Sequence, residues 1–165
     1  MSDLLASPTK DEESQFLYGE CHVLAVALHR KYGWPLLVVE CYDEPYWVDP
    51  EDPDNTLPSI FHVYALDETS GLAWDIRGAR PENEVIQDVA QVFDTDALSL
   101  STDTLYSEEE LKNLVGYWAD DGDEPIDRPL SEYDDNDVRE ARITIEGLLA
   151  PIIQQAHNIR CECSP

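Results

Sequence analysis

The feature that most constrains this chain is a change of hydrophobic period within its first eighty residues. The segment from Cys21 to Tyr32, CHVLAVALHRKY, is rich in Ala and Leu, and Gly33 and Pro35 follow it as a helix stop. It predicts a buried helix. Three short apolar, β-branched runs then follow: LLVVECY at 36–42, SIFHVYAL at 59–66 and GLAWDIRG at 71–78. The turn signal at 67–71 lies between the second and third runs, so those two should form a hairpin. A helix before a small antiparallel sheet gives an α+β fold.

The rest of the chain fills in around that unit. Residues 1–14 are polar and without periodicity and read as a flexible leader, residues 15–160 as one domain, and 161–165 as a C-terminal tail. At 165 residues a single core is expected. The stretch 43–58 holds four prolines and many carboxylates and reads as a surface loop bearing Tyr46 and Trp47. The second half reads as helical. Pro81 sits at the first turn of one helix over 81–93, and Ser107 with Glu110 makes a capping box before Leu111, Leu114, Val115 and Trp118. A last helix starts near 135–137, with Pro151 ending or kinking it.

Thirty-six acidic residues against ten basic ones give a formal charge of −26. Such a field disfavours direct contact with nucleic acid or an anionic membrane surface. It has three readings. The charge can serve solubility alone, attract a basic protein partner or substrate, or imitate phosphates in another protein's DNA-binding groove. No run approaches the length of a membrane span, and the N-terminus lacks the basic start and apolar stretch of a secretion signal, so a cytoplasmic location is expected. In a reducing compartment the four cysteines, at 21, 41, 161 and 163, are expected as thiols.

Cys21 begins the predicted helix, where unpaired N–H groups and the dipole favour a thiolate. His62 lies on the second strand and Asp75 on the third, a hairpin turn apart. Alternation puts His62, Tyr64 and Leu66 on one face and Ala73, Asp75 and Arg77 on one face of their strands. A thiol, an imidazole and a carboxylate in this order suit nucleophilic catalysis, with the acid orienting the base. Each also has a plainer reading, since Cys21 can be core packing and His62 a core histidine with one hydrogen bond. Glu20 opposes an activated thiolate unless its charge is turned away or offset, and Arg77 could offset it.

The stretches GECHVLAVALHRKYGW, FHVYAL and LAWDIRG resemble the Cys helix, His strand and Asp strand of the papain-like and transglutaminase-like cysteine hydrolases, over about residues 15–78. The resemblance implies Cys21 as nucleophile, His62 as base and Asp75 as the residue that holds the base. It also implies Gln15, six residues before Cys21, as an oxyanion donor beside the Cys21 backbone N–H. It implies protease, deamidase or acyl transferase chemistry on an amide or acyl carbonyl through a Cys21 thioester. No metal or organic cofactor is expected. The chain departs from the proteases in having His22 where a Trp commonly follows their cysteine. Tyr46, Trp47 and Arg77 are candidate substrate contacts. The alternative from another class is a non-catalytic acidic protein, such as a DNA mimic, that binds a basic surface. His22 with His29, and His157 with Cys161 and Cys163, are too few or wrongly spaced for a metal centre.

Overall fold

The structure, a computed structural model, describes residues 7–47, 54, 56–114, 117–118 and 130–162. Helices α1 (Lys10–Tyr18) and α2 (Cys21–Tyr32) lead into strands β1 (Leu36–Trp47), β2 (Thr56–Asp67), β3 (Leu72–Asp75) and β4 (Gly78–Pro81). Helix α3 (Glu82–Val92), strand β5 (Leu100–Leu105), helix α4 (Glu108–Asn113) and the two-residue strand β6 (Tyr117–Trp118) follow. Helices α5 (Asp135–Thr144) and α6 (Ala150–Glu162) complete the α+β fold expected from the sequence. The sheet runs in the order β4-β3-β2-β1-β5, antiparallel throughout, with β6 added parallel to β2.

Two apolar clusters sandwich this sheet. On one face, Leu36, Val38, Ile60, Val63, Ala65 and Trp74 meet the buried side chains of α2, which are covered in turn by Val138, Ala141, Ile145 and Leu149. On the other, Leu37, Val39, Phe61, Tyr64 and Ala73 meet Val85 and Val89 of α3. The alternation expected for β2 and β3 is therefore realised. Helix α2 is buried from Cys21 to Leu28 because it has the sheet on one side and α5 on the other. Replacing Leu28, which is fully buried, with Ala should cost about 2–5 kcal/mol, the sum of lost transfer energy and a cavity, and urea denaturation would read it.

The expected helix stop is built as predicted. Gly33 takes a left-handed φ of 74° and its N–H donates to the His29 carbonyl at 2.8 Å. His29 Nδ1 lies 2.7 Å from the Trp34 carbonyl, which fixes Nδ1 as the protonated nitrogen because a carbonyl only accepts. The hairpin turn is closed by Asp67, whose Oδ1 accepts from the N–H groups of Thr69 and Ser70 at 3.0 and 3.3 Å. Outside the helix bundle's apolar contacts, Arg30 of α2 pairs with Glu108 of α4 and Asp135 of α5, tying the C-terminal helices to α2.

Several expectations need correction. The leader is helical from Lys10, because Thr9 and Glu12 form a reciprocal capping box that a polar segment without periodicity concealed. The loop expected over 43–58 is strand at both ends, since β1 continues to Trp47 and β2 starts at Thr56, and residues 48–53 and 55 lie outside the described residues. Helix α4 is capped by Ser107 as expected, but it stops at Asn113, and Trp118 belongs to a strand. Pro81 precedes α3 as its N-cap. Pro151 lies just inside α6, directly after a π-helical turn over Ile145–Leu149. Proline offers no N–H, and a widened turn is one way a helix accommodates the missing bond.

Candidate active site

A β-bulge places the histidine. Val39 pairs with His62 and Glu40 with Ile60, so Phe61 is the extra residue on β2. A bulge turns two neighbouring side chains to the same side, and Phe61 and His62 both line a cavity that faces α3. On the outer edge of β2, β3 covers Ala65–Asp67 and β6 covers Ser59 and Ile60. Among the described residues, the stretch 61–64 between them has no strand partner on that edge. His62 therefore sits at a break in the ladder.

The hairpin brings Asp75 to it. Trp74 pairs with Ala65, so Asp75 comes level with Tyr64 and diagonal to His62 on the α3 face. His62 Nε2 lies 3.4 Å from Asp75 Oδ2, an ion-pair distance without hydrogen-bond alignment. Both side chains are almost fully buried. The carboxylate is held from its other side: the Arg77 backbone N–H donates to Oδ1 at 2.8 Å, Arg77 Nη2 to Oδ2 at 2.7 Å and Arg80 Nη2 to Oδ2 at 3.0 Å. Gly78, at a φ of 97°, lets the chain reverse at once and return Arg80 to the same carboxylate. Burial alone would push the Asp75 carboxyl up, but His62 and Arg77 outweigh it and hold it well below the usual carboxylate range. Asp75 is therefore charged at neutral pH.

Asp88 of α3 completes the cluster. It pairs with Arg80 and, at 3.3 Å, with Arg77 Nη1. Sequence reading passed over Arg80 and Asp88. The signal for Asp88 was its place on the apolar stripe of α3, between Val85, Val89 and Val92, where an acid needs a buried-side partner. Tyr64 stands beside the histidine, its ring centroid 6.2 Å from the imidazole, and its hydroxyl donates to Glu82 at 2.9 Å.

The other predicted residues are placed as follows. Cys21 opens α2 and is buried within the apolar cluster on the α2 face. No acid stands in the first turn of that helix, and Glu20, its N-cap, makes no side-chain capping bond. Gln15 Nε2 donates to Glu20 at 2.6 Å, so the proposed oxyanion donor and the acid beside the nucleophile are engaged with each other. The structure thus joins His62, Asp75 and Arg77, while Cys21 and Gln15 stand outside that charged cluster. Leu17, at the end of α1 and four residues before Cys21, lines the His62 cavity, which puts the α1–α2 junction at its wall. Cys41 is a buried strand thiol in the α3-side cluster. The backbones of Tyr46 and Trp47 pair with Leu57 and Thr56, and their side chains lie outside the described residues, as do those of His157, Cys161 and Cys163.

Among the described residues, no helix is long and apolar enough to cross a membrane. Comparison with protein-family models, curated proteins and solved structures returned no match.

Proposed function

We propose that this chain is a cysteine hydrolase of the papain-like kind, acting on an amide or related acyl carbonyl. The observation that carries the reading is the buried contact between His62 Nε2 and a carboxylate that also pairs with Arg77 and Arg80. The carboxylate beside Nε2 holds the ring and leaves Nδ1 to take the thiol proton. Cys21, at the start of a helix with no acid in its first turn, is the thiol whose anion the helix dipole favours.

The reaction follows from these roles. Nδ1 of His62 removes the Cys21 proton, and the thiolate forms a bond to the carbonyl carbon. The resulting oxyanion collapses, the carbon–nitrogen bond breaks, and His62 returns the proton to the leaving nitrogen. Water then attacks the thioester with His62 as base, releasing the carboxylic acid and restoring the thiol. The Cys21 backbone N–H serves the oxyanion, since Gln15 is held by Glu20. A reducing compartment such as the cytoplasm keeps that thiol available. The test is site-resolved alkylation of Cys21 against pH, in the wild type and in His62→Ala.

The charge of −26 supports a basic protein as substrate or partner. Such association should weaken steeply between about 0.05 and 0.5 M salt, because exposed charges are screened beyond ~8 Å near 0.15 M. Thiol reactivity should hold over the same range. Binding of a basic peptide that does not respond to salt, measured by calorimetry, would remove the electrostatic part of the reading.

A further inference from the structure

We propose that the cleft between α2 and α5 binds a phosphate group, free or as a small ester, through Lys31, Arg139 and Arg142. The site lies on the α2 side of the sheet, whereas the His62 cavity faces α3, and it does not depend on the hydrolase reading. Ten basic residues serve the whole chain against thirty-six acids, and four of them, Arg30, Lys31, Arg139 and Arg142, line this one cavity of about 200 Å³. Ala27 and Val138 supply apolar wall, and Asp135 is the one acid among the described lining residues. The field of so acidic a chain repels anions, so any anion that it holds requires a local concentration of cations such as this.

The four cations are unequally engaged. Arg30 is fully used, with Nε and Nη2 on Glu108 and Nη1 on Asp135. Lys31 and Arg142 share a single carboxylate oxygen, Oε1 of Glu146, through Nζ at 3.1 Å and Nε at 2.9 Å. Lys31 Nζ also stands 5.7 Å from the Tyr32 ring centroid. Among the described residues, that leaves two Lys31 N–H groups and both terminal nitrogens of Arg142 without an acceptor. Arg139 has no carboxylate partner there, and its Nη2 donates to the neutral Oδ1 of Asn136. The last turns of α2 and α5 favour cations, which accounts for Arg30, Lys31 and Arg142 but not for Arg139. Arg139 and Arg142 are three residues apart on α5 and so are neighbours on its surface. The Arg142–Glu146 pair, with side chains 61 % and 47 % exposed, contributes little, so an arriving anion displaces it at small cost. A phosphate group carries nearly two charges at pH 7 and several strong acceptor oxygens, which planar guanidinium forks match. The cavity far exceeds the ~30 Å³ share of one water, so a small organic group fits beside the phosphate against Ala27 and Val138.

The test is a titration of the full chain with inorganic phosphate and with glycerol phosphate, followed by amide NMR. Ionic strength is held constant with sodium chloride, so that screening of the acidic surface does not enter the comparison. Wild type should show saturable shifts centred on Ala27, Lys31 and residues 138–142, with a dissociation constant at or below about 1 mM. Arg139→Gln, which breaks no ion pair, should weaken binding roughly tenfold, as should Arg142→Gln, and Arg139→Lys should recover part of the loss. Lys10→Gln, an exposed cation outside the cavity, should change nothing. The same spectra report that each variant is folded. Tighter binding of glycerol phosphate supports the site with an ester as its ligand, and tighter binding of inorganic phosphate supports it with the free ion. Shifts that do not saturate by about 10 mM, or equal affinity in wild type and Arg139→Gln, would overturn the site.

Discussion

Asp75→Ala should be the most destabilising single substitution in the site, costing about 3–5 kcal/mol, because it removes the buried counter-ion of Arg77 and Arg80 and leaves them only the more exposed Asp88. The side chain of Asp75 is only 2 % exposed, so solvent cannot replace what it supplies. Arg77 and Arg80 both converge on it, and its Oδ1 also closes the turn into β4 by accepting the Arg77 N–H. Asp75→Asn keeps that turn bond and removes the charge, so it should lose less, and the difference between the two variants separates the turn from the ion pairs. Urea denaturation at pH 7 reads both. A cost under about 1 kcal/mol for Asp75→Ala would mean that the arginines find other partners, in the range of surface pairs.

The same residue sets a pH dependence of known sign. A carboxyl whose folded pKa is depressed contributes stability that is fully present above its unfolded value of ~3.9 and is lost as pH falls through the folded value. Asp75 is such a group, with burial opposing the shift and His62 and Arg77 overriding it. Wild type should therefore lose part of its advantage over Asp75→Asn below about pH 4. Taking the difference between the two proteins matters here, because protonation also relieves the self-repulsion of thirty-six acids and would obscure the absolute curve.

The parts of the fold legible in the sequence are those whose side chains obey one period and bury one face. Helix α2 and the β2–β3 hairpin were readable because Ala and Leu, Gly33, Asp67 and the short apolar runs all agreed. Strand β5 was invisible for the opposite reason. Ser101 to Thr104 are exposed, and the strand exists because its backbone pairs with β1, which no side-chain pattern records. The two-residue β6 likewise depends on a partner distant in sequence. Of the site, the His62–Asp75 contact was legible because one hairpin carries both residues. Arg80 and Asp88 were not, since their place depends on how α3 docks on the sheet. The engagement of Gln15 by Glu20 arises from the turn between α1 and α2, a geometry hidden by the polar composition of α1.

The second large effect concerns the thiol itself. A thiolate paired with imidazolium titrates at roughly 3.5–7.5, against ~8.5 for an ordinary cysteine. Loss of the pair should lower the thiolate fraction at pH 6 on the order of 100-fold. A more basic thiolate is also a better nucleophile, which returns part of that factor, so the alkylation rate should fall about 10-fold in His62→Ala. Because Cys21 is buried, access slows both proteins alike, and the position of the inflection carries more information than the absolute rate. Cys41, buried in the α3-side cluster, is the internal reference.

The measurement that bears most directly on the central claim is the pH profile of iodoacetamide labelling, resolved for each cysteine by mass spectrometry, in wild type and His62→Ala. The account requires Cys21 to inflect well below ~8.5 in the wild type and to lose that low inflection when His62 is removed, with Cys41 unchanged. A Cys21 that follows Cys41 in both proteins would contradict it, and the acidic surface would then become the feature to pursue.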